Sequence, residues 1–91
     1  MRRIADVLER RHAVSILYAL RHGCTRFTEF REALGRIPPG TLAQRLVELE
    51  QAGVLARRVT ADRPPRVEYV LTGDGRRLVG VIDALAAWAR G

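Results

Sequence analysis

A chain of 91 residues that is 47% hydrophobic and 29% charged has the length for one domain, residues 1–91, around a single modest core. That composition excludes a disordered chain, and the sequence has no apolar run long enough to span a bilayer. The net charge is +6 and all 16 basic residues are arginine, which favours a polyanionic partner and excludes chemistry that needs a lysine amine.

The N-terminus, Met1-Arg2-Arg3, is followed by Asp6 and Glu9 rather than by an apolar segment with a small-residue cleavage site, so a cytoplasmic protein is expected. Ile4 to His22 reads as helix, with Ile4, Val7 and Leu8 forming one apolar patch and Ala13, Ile16, Leu17 and Leu20 another. Glu9-Arg10-Arg11-His12 is a polar break between the patches. Gly23 stops this segment, and Cys24 to Phe27 has room only for a small edge strand. Thr28 is expected to cap a second helix from Glu29 to Leu34, ended by Gly35. The linker Arg36-Ile37-Pro38-Pro39-Gly40 puts Pro39 at a first helical position, and a third helix is predicted over about 39–52.

On that third helix Leu42, Leu46 and Leu49 share a buried stripe, with Thr41, Gln44 and Glu48 opposite and Arg45 at the flank. Two short helices joined by a glycine-containing turn make a helix-turn-helix. Val54 to Thr60 and Val67 to Leu71 alternate as strands around a basic, proline-stiffened tip at about 60–66, which predicts a hairpin. Thr72-Gly73-Asp74-Gly75 opens a last helix, Gly73 to Arg90, whose apolar residues surround its axis. A domain this small cannot cover them from within, so a homodimer is expected, with Ile4, Val7, Leu8, Val81, Leu85 and Trp88 at its interface. The predicted fold is mainly α with a small β-hairpin (α+β). It is a winged helix-turn-helix of order α-β-α-α-β-β-α.

The chain resembles the HxlR-type winged helix-turn-helix transcriptional regulators of bacteria, within the MarR-like superfamily. The resemblance covers residues 12 to about 89. It rests on Ile16-Leu17-Tyr18-Ala19-Leu20, on Arg26-Phe27-Thr28-Glu29-Phe30, on Leu42 through Gly53, and on Pro65-Arg66-Val67-Glu68-Tyr69-Val70-Leu71-Thr72 with Gly75. Members usually carry a Cys-Pro near the N-terminus and a tryptophan where His12 stands, so a thiol sensor is not carried over to Cys24. Many also have serine, proline and a basic residue where this chain has Pro38, Pro39 and Gly40.

The resemblance implies double-stranded DNA as partner, read as a near-palindromic operator by a homodimer. In a helix-turn-helix the N-terminal half of the recognition helix meets base edges, here Thr41, Gln44 and Arg45. Arg26, Arg36, Arg57, Arg58, Arg63 and Arg66 are the candidates for phosphate and minor-groove contact, and strand alternation lets only one of Arg57 and Arg58 point outward. A small-molecule effector is a further expected partner, in the space between the first and last helices of the dimer. No cofactor and no membrane partner is expected. His12, His22 and Cys24 lack the further ligands a metal needs. An enzyme is excluded by inventory: the sole serine, Ser15, lies amid apolar helix residues, and there is no Gly-rich phosphate loop. The alternative is a winged-helix interaction or dimerisation module without sequence-specific DNA binding.

Overall fold

The computed structural model describes residues 4–91. Five helices and one hairpin follow in the order α1 (Ile4–Leu8), α2 (Ala13–Arg21), α3 (Phe27–Ala33), α4 (Pro39–Gln51), β1 (Leu55–Val59), β2 (Val67–Leu71) and α5 (Gly73–Arg90). The α+β winged-helix class is as the sequence predicts. The element order departs from the predicted one at two places, the first helix and the segment before α3.

The first predicted helix is two. His12 sits at φ 75 in the left-handed region, and the Arg10 N–H reaches back three residues to the Val7 carbonyl at 3.0 Å. The polar break at 9–12 is therefore a turn. It folds α1 back so that Val7 is 1% exposed within the cluster that also holds Ile16 and Leu17. Burying such a side chain contributes about 1.5–3 kcal/mol, which offsets the cost of a non-glycine residue at positive φ. Val7, expected at the dimer surface, is thus a core residue. Ile4 and Leu8 pack partly buried beside it.

The small edge strand at Cys24 to Phe27 does not form. One hydrogen bond stands in its place, from the Tyr69 N–H to the Thr25 carbonyl at 2.8 Å. The segment is diverted because Glu29, not Thr28, organises the start of α3. The carboxylate accepts the N–H groups of Thr25 and Arg26, each at 2.9 Å, so the helix begins at Phe27. Those backbone donors, Thr25 first, hold the Glu29 carboxyl below its ordinary range.

Leu42, Leu46 and Leu49 are all buried, as their spacing predicts. They meet Ile16, Leu17 and Phe30 in one continuous core. The ring of Phe30 lies edge-on to Tyr69 with centroids 6.2 Å apart, tying α3 to the hairpin. β1 and β2 pair antiparallel in the register Leu55↔Leu71, Arg57↔Tyr69, Val59↔Val67. The hairpin is bound to α5 through Thr72. Its hydroxyl donates to the Gly53 carbonyl at 2.7 Å and accepts from the Gly75 N–H at 3.0 Å, capping α5. Gly75 is required by packing, because a Cβ there would lie 1.9 Å from the Val54 carbonyl oxygen.

Candidate nucleic-acid interface

The turn between α3 and α4 uses two consecutive left-handed residues, Gly35 (φ 66) and Arg36 (φ 61). Glycine takes this conformation without strain, and the Arg36 N–H closes the turn on the Arg31 carbonyl at 2.8 Å. Pro38, extended, and Pro39, at the first helical position, then launch α4. No side chain caps its N-terminus among the described residues.

The buried stripe fixes which face of α4 points outward. At about 100° per residue, Gly40, Gln44, Val47 and Gln51 lie opposite the leucines, whereas Arg45 falls within about 70° of the centre of their stripe. Burial follows this projection except at Glu48. Gly40, Ala43, Gln44 and Val47 are exposed, Thr41 and Arg45 are half-buried, and Glu48 is buried. Glu48, expected opposite the stripe, is 1% exposed. It accepts from Arg10 Nη2 at 3.1 Å, from Arg45 Nη1 at 3.1 Å and from Gln44 Nε2 at 3.4 Å. Arg45 Nε also donates to the Arg11 carbonyl at 3.1 Å. The structure therefore holds Arg45 against the α1–α2 turn. Sequence reasoning missed Ala43 and Val47 on the outward face, although the leucine periodicity itself places Val47 there.

The arginines form two groups. Arg26 and Arg36 are exposed beside the helix-turn-helix. Arg57, Arg58, Arg63 and Arg66 are exposed along the hairpin and its tip. Arg66 closes the tip: its carbonyl accepts from the Thr60 N–H at 2.8 Å, and its guanidinium pairs with Asp62 at 2.6 Å. Arg57 and Arg58 do point to opposite faces. Arg57 shares the face of Leu55 and Tyr69, whereas Arg58 lies across from Glu68 and pairs with it at 3.8 Å. Both are nonetheless exposed, because β1 runs past the core after Ala56. Among the described residues Arg36, Arg57 and Arg63 have no carboxylate partner.

On α5 the inner face, Leu78, Val79 and Ile82, packs on the core. The outer face carries Val81, Leu85 and Trp88, respectively 57%, 62% and 82% exposed. Their i, i+4, i+7 spacing makes one apolar stripe. Cys24 is half-buried, and burial followed by the nearby Glu29 charge pushes its thiol up, away from the reactive thiolate. No group of His, Cys, Asp and Glu able to hold a metal occurs among the described residues, and no helix there is long and apolar enough to cross a membrane.

The sequence profile of the HxlR-like helix-turn-helix family matches residues 7–91. The HTH-type transcriptional regulator YvaP of Bacillus subtilis is 37% identical over 84 residues, 92% of this chain and 78% of YvaP. YtfH of Escherichia coli is 44% identical over 78 residues, covering 86% of this chain and 62% of YtfH's length. The structure of reduced YodB, a transcriptional regulator from B. subtilis, superposes with a TM-score of 0.86 at 36% identity, over 94% of this chain and 84% of YodB.

Proposed function

The chain belongs to the HxlR-like helix-turn-helix family, and from that premise we propose that it binds a near-palindromic duplex operator as a cytoplasmic homodimer. Its family and relatives are transcriptional regulators, not enzymes. The observation that carries the finer reading is the outward face of α4. That face is small and uncharged around Gln44, and Arg36, Arg57 and Arg63, on the turn before α4 and on the hairpin, are exposed without a carboxylate partner among the described residues.

Gln44 presents an amide that can pair bidentately with adenine, and Ala43 and Val47 offer methyl groups to thymine. Thr41, at the edge of the same face, reaches a thymine methyl or a phosphate. To read a guanine, Arg45 would have to leave both Glu48 and the Arg11 carbonyl. We therefore assign reading to Thr41 and Gln44, and to Arg45 the holding of α4 against the α1–α2 turn. Arg26, Arg36 and Arg57 neutralise phosphates, with Arg58 and Arg66 contributing less because each already has a carboxylate partner. Arg63, at the wing tip, enters a minor groove.

The apolar stripe Val81, Leu85 and Trp88, together with Ile4 and Leu8 of α1, meets the same residues of a second copy. Two reading helices then address half-sites about one helical turn apart. A cleft of about 510 Å³ between α2, β2 and α5 falls within the volume range of small-molecule sites, and we place the effector there. Leu20, Tyr69, Leu71 and Val79 line it, with Arg76 and the Arg21–Asp83 ion pair at its rim. Cys24 is given no sensing role.

The exposed stripe of α5 also suits a module that binds only proteins. Salt separates the two readings. With six or more phosphates neutralised per dimer, affinity for duplex DNA should fall on the order of 10³-fold between about 50 and 200 mM salt. Fluorescence anisotropy measures this directly. Association with DNA that ignores salt, or none at all, would leave the interaction module as the reading.

A further inference from the structure

Resting on that reading of α4, we infer that Glu48 is a positioning residue that fixes the orientation of the Gln44 amide and so determines the base it selects. A carboxylate in a leucine-rich core is costly unless its acceptor capacity is filled. Here Gln44, Arg45 and Arg10 donate to it, the last from 38 residues away in the chain. It joins the reading helix to the turn that follows α1.

The consequence for recognition comes from donor and acceptor counting. An ionised carboxylate only accepts, so the Gln44 amide must turn its nitrogen toward Glu48. One N–H is used there. The other N–H and the carbonyl oxygen remain for DNA, and a donor beside an acceptor is the pattern that matches adenine N7 and N6–H. Guanine presents two acceptors, O6 and N7, and would meet the held carbonyl oxygen with like charge. Glu48 thus sharpens a preference that a freely rotating glutamine would hold loosely, although it lies inside the protein, away from the bases.

Two variants test this, each put through selection from a randomised duplex pool followed by sequencing of the bound fraction. Glu48→Gln keeps the volume but can donate as well as accept, so it releases the amide. Arg10→Gln alters a side chain that is 44% exposed and loosens the same carboxylate without changing any residue of α4. In Glu48→Gln the adenine preference at one position of each half-site should drop roughly tenfold, and in Arg10→Gln roughly threefold. The other motif positions, affinity for a scrambled duplex and the salt slope should stay as in the parent. Should Glu48→Gln not fold, Arg10→Gln carries the test alone. A parent-like motif in a folded variant overturns the inference, as does a loss spread evenly over all positions, which marks a purely structural carboxylate. If the parent protein itself enriches no sequence, the operator reading fails, and this inference fails with it.

Discussion

Replacing Leu85 and Trp88 together with aspartate is expected to leave the protein monomeric and to weaken operator binding roughly 100-fold or more. Both side chains are mostly exposed in the protomer, at 62% and 82%, so the substitution removes little internal packing and helical content should persist. In a symmetric interface each change occurs twice, and each lost apolar side chain forgoes about 1.5–3 kcal/mol of burial. The new carboxylates would also have to be buried without partners. A monomer then engages one half-site and forfeits the local concentration that makes the second contact almost automatic. Light scattering gives the mass and anisotropy the affinity. A variant that remained dimeric would move the interface off α5.

Gln44→Ala is expected to reduce discrimination between the operator and a scrambled duplex on the order of 100-fold, since each bidentate pair supplies about 1–3 kcal/mol and the dimer makes two. Affinity for the scrambled duplex should hardly change, because Gln44 carries no charge and the arginines supply the phosphate contacts. A variant with parent-like discrimination would remove Gln44 from the reading face. A fall on both duplexes alike would mean that it serves affinity and not sequence.

The parts legible in the sequence are those governed by local periodicity. Leu42, Leu46 and Leu49 announced both the third helix and its buried side. The proline-stiffened tip between two alternating stretches announced the hairpin, and Thr72 with Gly75 announced the start of α5. What escaped depends mostly on contacts distant in the chain, the local reach of Glu29 to Thr25 and Arg26 excepted. Nothing near His12 requires a left-handed residue; the turn exists because α1 can bury Val7 only by folding back. Thr28 looked like a cap, but Glu29 reaches two backbone donors at once. Helical spacing alone turns Glu48 to solvent, whereas Arg10, in a turn 38 residues earlier, is its partner in the interior. The candidate site was legible to the same degree: Gln44 is on the outward face as expected, whereas Arg45 is held by a turn that no helical projection includes.

Sequence reading by α4 is tested most directly by an anisotropy titration of the dimer against the duplex upstream of its own gene, beside a scrambled duplex of equal length and composition, at near-physiological salt. The expected result is binding to the upstream duplex at least about 10³-fold tighter than to the scrambled one. Equal affinity for the two, unrelieved by any duplex selected from a random pool, would contradict it.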